Sequence, residues 1–177
     1  MLKGKPILKI SLRYGGMGAA LSAVLFIILF YSGKNPFLIP AMLDFRILVF
    51  PIILLFGIRD FKENINGGYL HFWEGMSVGL LEIFVFSFLM LLFILAFGSL
   101  IETGLVDQYI TDLQEQIIAG KERFSGSIGE EAYSKTLEIL PSTTIFDLAL
   151  DYFLKSWPLG LFLIIILTLI FEILRVT

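Results

Sequence analysis

The chain contains no cysteine and a single histidine, His71. Without thiols there is no disulfide, no thiolate metal site and no cysteine nucleophile. His71 stands beside Trp73 and Glu74 with no second histidine near, which argues against a metal centre. Charge is scarce as well: 16% of residues are Asp, Glu, Lys or Arg, against about 25% in soluble domains. The net charge of −3 is the wrong sign for a surface that must meet phosphates, so no nucleic-acid role is expected. No Ser–His pairing and no two carboxylates on one span suggest catalysis. The Asn66-Gly67-Gly68 turn lacks the strand–helix context of a phosphate loop and reads as a chain reversal. The expectation is a protein that is not an enzyme and carries no cofactor.

What the sequence has instead is apolar length. Apolar residues make up 57% of the chain, with 18 Phe and a mean hydropathy of +0.88. From Trp157 to Leu174 it reads WPLGLFLIIILTLIFEIL, interrupted only by Glu172. At about 1.5 Å per residue such a helix approaches the ~30 Å hydrocarbon core of a bilayer. Gly15–Ser32, Phe37–Ile58 and Phe72–Leu100 share this character. The fold class expected is an all-α membrane protein forming one domain over 1–177. Four transmembrane helices are expected at about 13–32, 37–58, 72–100 and 153–174. A two-helix extramembrane excursion, about 102–141, separates the third from the fourth. Each span must be helical, because open strands would leave backbone groups unpaired in lipid.

Lys3, Lys5, Lys9 and Arg13 before the first apolar run resemble the start of a signal peptide. The exit Leu29-Phe30-Tyr31-Ser32-Gly33 lacks the small-residue spacing of a cleavage site, so a retained helix is expected. Basic residues cluster in this tail, at Arg59 and Lys62 between the second and third spans, and at Arg175. The excursion holds eight acids against Lys121, Arg123 and Lys135, a net of −5. The positive-inside rule then puts both termini in the cytoplasm and the excursion outside, in an inner membrane. Leu105, Tyr109, Leu113 and Ile117 repeat every four residues, one stripe of an amphipathic helix. Ser127 and Glu130 fit a capping box for a second helix, which Pro141 stops. This excursion is either a solvated cap or a partner-binding or gating surface.

Helix packing in lipid relies on small residues. Ser11, Gly15, Ala19 and Ala23 form such a row on the first helix, and Gly75 and Gly79 form GxxxG on the third. These rows are expected to meet, with a homodimer seam as the alternative. Ionisable residues inside spans are the sharpest functional signal. Glu82 lies about 15 Å into the third span and Arg46 about 18 Å from the cytoplasmic end of the second, so their side chains are expected to be within reach of each other. Asp44 either shares that depth or caps a later start of the second helix, with Pro36 and Pro40 as a lead-in. Glu82, Arg46 and Asp44 are thus candidates for a proton or ion relay or a polar pocket. The plainer reading has a neutral, hydrogen-bonded Glu82 and an outward Arg46. Asp147, Asp151 and Lys155 read as a solvated face with one Asp–Lys pair. Tyr69, Trp73, Tyr152 and Trp157 fit aromatic belts at span entrances.

The segment GIRDFKENINGGYLHFWEGMSVGLL, Gly57 to Leu81, resembles the pattern of the DUF4199 family, membrane proteins of the Bacteroidota phylum. In that pattern a span ends in GI, a charged RDF or KDY stretch follows, then a GGYL turn and a Gly-bearing third span. The resemblance extends over most of the chain, from Tyr14-Gly15 to the last span. It implies a four-helix inner-membrane protein of a Gram-negative bacterium, with no catalytic positions to carry over. It also implies a polyprenyl-phosphate glycosyltransferase as partner. The charged Asp44-Phe45-Arg46 departs from that pattern. The leading expectation is an accessory or assembly subunit contacting membrane lipids and another membrane protein. A small transporter or ion-coupled channel subunit using Glu82 and Arg46 is the alternative.

Overall fold

The computed structural model describes residues 4–39, 44–121 and 129–173. They hold helices and no strand: α1 (Gly4–Tyr31), α2 (Arg46–Asp60), α3 (Phe72–Ala96), α4 (Leu105–Ala119), α5 (Glu130–Ile139) and α6 (Ile145–Ile173). α2 and α3 each run on into a π turn, Phe61–Ile65 and Phe97–Ile101. Three helices are long and apolar enough to cross a membrane: α1, α3 with its π turn, and α6.

The second expected span is not among them. α2 begins at Arg46 rather than Phe37: Phe45 is its N-cap, and the Asp44 carboxylate one residue earlier accepts the Arg46 N–H at 2.9 Å. The uncharged part of α2, Ile47 to Ile58, covers only about 18 Å of the ~30 Å core. Helical structure then continues where the sequence suggested a polar connection. Arg59 and Glu63 pair one turn apart at 2.9 Å, and buried Lys62 donates to the Phe171 carbonyl at 2.8 Å. That bond satisfies an acceptor at the C-terminal end of α6, where a cation also suits the helix dipole. α1 likewise starts earlier than expected, at Gly4, since Ile7, Ile10 and Ser11 are already buried.

α3 is the central element, with α1 and α6 against different faces and α2 packed on all three. The Ser11 hydroxyl donates to the Val78 carbonyl at 3.2 Å. A Cβ on Gly15 would stand 2.7 Å from the Glu82 carbonyl and 3.0 Å from the Val85 Cβ. Ala19 continues this row into the core. The α1 row therefore packs on α3, but not on Gly75 and Gly79. Those two face α6: a Cβ at Gly75 would meet Thr168 at 2.6 Å, and one at Gly79 would meet Ile164 at 2.7 Å. Gly160 of α6 returns the contact, taking Ile83 of α3. The reason is rotational. Residues 75, 79 and 83 lie on one stripe, while 78, 82 and 85 lie on another, offset by about 100° per residue. Both faces of α3 thus gain close backbone approach.

Around this contact sits an aromatic core. Phe26 is fully buried with its ring edge-on to Phe37, Phe93 and Phe97, and Phe50 meets Phe86 at 4.7 Å. Outside it, large apolar side chains face away from the protein, among them Leu21, Ile28, Leu48, Phe88 and Phe162. An exposed apolar surface of this extent belongs in contact with lipid or another protein.

The polar excursion is two helices, as its periodicity indicated. Leu105 and Ile117 bury the α4 stripe. Tyr31 donates to Glu102, at the end of the α3 π turn, at 2.5 Å, and Asn35 donates to Asp112 of α4 at 3.0 Å, tying both to the exit of α1. α5 buries no residue. It opens behind Gly129, without a side-chain cap; Ser127, the expected cap, lies outside the described residues. Pro141 sits in the 3-10 turn Leu140–Ser142 that ends it.

Replacing Gly79 with Leu drives a side chain into Ile164, and overpacking of this kind costs about 1–3 kcal/mol or more. Gly79→Leu should lower the thermal midpoint in detergent, whereas Gly16→Leu, where a Cβ meets only a Leu89 methyl at 3.9 Å, should shift it far less. Equal midpoints for Gly79→Leu and wild type would contradict the α3–α6 contact.

Candidate functional site

Two polar centres lie between the helices. The first is Glu82. Its position on α3 turns it toward α2, where the missing side chain of Gly57 leaves the space its carboxyl occupies. It is fully buried, and among the described residues neither carboxyl oxygen has a hydrogen-bond partner. One helical turn along α2 from Gly57, about 4.5 Å in rise, is Asp60. Asp60 accepts the Tyr14 hydroxyl at 3.2 Å and the Asn64 amide at 2.6 Å, and Arg13 approaches at 3.8 Å. Tyr14 adjoins Gly15, whose backbone touches the Glu82 carbonyl. Glu82 is therefore a carboxyl in an apolar slot with a polar group one turn away. Burying the ionised group there without a partner costs far more than burying the neutral acid.

The second centre is Arg46, at the other end of α2. Its Nε donates to Asp44 Oδ2 at 2.8 Å, its Nη2 also pairs with Asp44, and its Nη1 donates to the Tyr152 carbonyl and the Ser156 hydroxyl, each at 3.2 Å. The guanidinium lies over the Tyr152 ring, 4.3 Å from its centroid. This forked pairing suits a planar guanidinium and would not suit a lysine. Asp44 and Arg46 are both mostly shielded. On the next turns of α6, Lys155 pairs with Asp151 at 2.6 Å. Tyr109 of α4 stands close enough that burial, helped by the Asp151 charge, pushes its hydroxyl pKa up.

The structure keeps these centres apart. Gly57, which touches Glu82, is eleven residues from Arg46, or about 16 Å along α2. The expected contact between Glu82 and Arg46 is therefore corrected. The depths did not compare because helical structure runs past Ile58 to Ile65, which moves the cytoplasmic end of this segment outward and Arg46 farther from it. Asp44 does pair with Arg46, but it stands one residue before the α2 N-cap, Phe45, rather than at the cap itself. Asp147 lies on the solvated face expected of it, with the Asp151–Lys155 pair on the next two turns. With Thr144 it forms a reciprocal cap for α6, its carboxylate accepting the Thr144 N–H at 2.8 Å. His71 precedes α3, and Glu74 accepts its N–H at 3.2 Å. Among the described residues no cluster of three metal-ligating side chains occurs.

Sequence reasoning missed Tyr14, Gly57, Asp60, Tyr152 and Ser156. Two of them left a trace: Gly57 and Ser156 are small residues inside otherwise bulky apolar helices, the signature of a close neighbour.

The arrangement defines an all-helical protein with three membrane-length apolar helices, a short polar-ended fourth, and an acid-rich helical cap. The chain belongs to the family described as protein of unknown function (DUF4199), whose model matches residues 13–172. No curated protein and no solved structure matches it.

Arg46→Ala leaves Asp44 without its partner and should destabilise the protein by about 3–5 kcal/mol. The Asp44→Asn/Arg46→Ala double variant should recover a large part of that loss. Unfolding titrations in mixed detergent micelles measure both. Additive losses would show that the two side chains are not coupled.

Proposed function

We propose that this is a four-pass protein of a bacterial inner membrane, with both termini cytoplasmic, serving as a non-enzymatic accessory or assembly subunit of a membrane complex. The Bacteroidota origin and the polyprenyl-phosphate glycosyltransferase partner that the family resemblance suggests belong to this proposal. Supporting the topology, Lys5, Lys9, Arg13, Arg59 and Lys62 gather toward one end of the helices and Glu102, Asp107, Asp112 and Glu115 toward the other. The observation that carries the accessory role is α5. It is a helix with acids at Glu130, Glu131 and Glu138 that buries no side chain in this chain. A segment ordered as a helix yet left without an apolar anchor has its surface available to another protein.

A second reading rests on Glu82. A fully buried carboxyl with no hydrogen-bond partner among the described residues, set against Gly57 one turn before the Tyr14–Asp60 pair, suits proton or ion coupling. Arg46, 16 Å or so away along α2, takes no part in it.

The absence of native cysteine makes the topology directly measurable. Gly33→Cys should react with a membrane-impermeant maleimide on spheroplasts, and Gly67→Cys should react only after lysis. Reaction of both on spheroplasts would remove the fourth crossing. For the role, cross-linking and purification from native membranes should yield a stoichiometric partner that Glu130→Gln/Glu131→Gln/Glu138→Gln loses while its thermal midpoint is unchanged. Recovery of the chain alone, together with a pH-driven flux in liposomes that Glu82→Gln abolishes, would favour the second reading.

A further inference from the structure

Beside Arg46 lies a cavity of about 540 Å³ that neither reading above uses. Its size falls among small-molecule sites, about 300–1,000 Å³. Four charged groups line it: Asp44 and Arg46 from the start of α2, Asp151 and Lys155 from α6. The remaining wall is mainly apolar, with Ile47 one residue beyond Arg46 and Leu159 one helical turn beyond Lys155. The cavity therefore sits where both helices change from charged to apolar, the level of a phospholipid headgroup.

The hydrogen-bond count shows what is left over. Arg46 spends four of its five N–H groups on Asp44, Tyr152 and Ser156, which leaves one Nη2–H. Lys155 spends one of three on Asp151 Oδ2, and Asp151 Oδ1 has no hydrogen-bond partner among the described residues. The unused donors suit an anion and the unused acceptor suits a cation. Two acids and two bases balance the charge, so a purely anionic headgroup faces Asp44 and Asp151, and a purely cationic one faces Arg46 and Lys155. The Tyr152 ring and the three-way bonding of Arg46 hold the guanidinium in place before any ligand arrives, which lowers the ordering loss on binding.

From this geometry we propose that the α2–α6 cavity binds an amine-bearing zwitterionic phospholipid. The phosphate lies between Arg46 and Lys155, the ammonium lies on Asp151, and the acyl chains leave past Ile47 and Leu159. This goes beyond the accessory role and does not depend on it.

The test is native mass spectrometry of the purified full chain, loaded with equimolar phosphatidylethanolamine and phosphatidylglycerol. Wild type should retain phosphatidylethanolamine over phosphatidylglycerol by about tenfold, the ratio expected for one charge-assisted contact. Asp151→Asn/Lys155→Gln changes two exposed side chains, so it should keep the wild-type thermal midpoint and lose the preference. Equal retention of both lipids by wild type, or an undiminished preference in the double variant, would overturn the assignment. Free phosphoethanolamine separates the sources. Failure to displace the lipid at equal concentration supports a site that also uses the acyl chains, whereas binding of the free compound without any lipid preference would assign the cavity to a soluble zwitterion and overturn the lipid proposal.

Discussion

Lipid gives apolar helices no hydrophobic reason to associate, so their contact depends on how closely backbones approach. In this protein that constraint falls on α3. Gly15 and Ser11 let α1 onto one of its faces, and Gly75, Gly79 and the facing Gly160 let α6 onto another. The bulky residues then fill what remains: Ile83 and Ile164 reach into glycine gaps, and the Phe26 cluster closes the space beyond. The two polar centres lie at opposite ends of α2, the helix that fills the third side.

α2 is also where the apolar thickness runs short. Its uncharged stretch is about 12 Å less than the bilayer core, yet its ends are not left to lipid. Lys62 is covered by the end of α6, and Arg46 is held between Asp44 and the Tyr152–Ser156 turn. Neighbouring helices thus shield charges that an isolated segment of this length would have to bring to the interface. The same crowding leaves Glu82 enclosed where the missing side chain of Gly57 makes room for its carboxyl.

Much of this was legible from residues alone. Long apolar runs announced α1, α3 and α6, and four-residue spacing announced α4. Small-residue rows identified which helices need close neighbours. They could not identify which neighbour, because a GxxxG stripe has no address: Gly75 and Gly79 chose α6 over α1 through a rotation of about 100° per residue that sequence spacing does not fix relative to other helices. The start of α2 was misjudged since hydropathy counts apolar residues whether or not they are helical, and residues 37–39 are apolar without being helical. The Glu82–Arg46 contact failed at the other end, because the helix runs on through Phe61–Ile65 where polar residues suggested a stop. The partners of Arg46 were unreadable because two of its acceptors, the Tyr152 carbonyl and the Ser156 hydroxyl, come from more than a hundred residues away.

Disulfide trapping in native membranes tests the central role of α3 most directly, since the chain has no cysteine to interfere. One pair is well placed for it: a Cβ at position 79 would stand 3.3 Å from the Ile164 Cβ, near the 3.5–4.5 Å of a disulfide. Gly79→Cys should cross-link rapidly with Ile164→Cys and not at all with Gly15→Cys. The reverse result would place the α3 glycines against α1 and contradict the packing of α3 between α1 and α6.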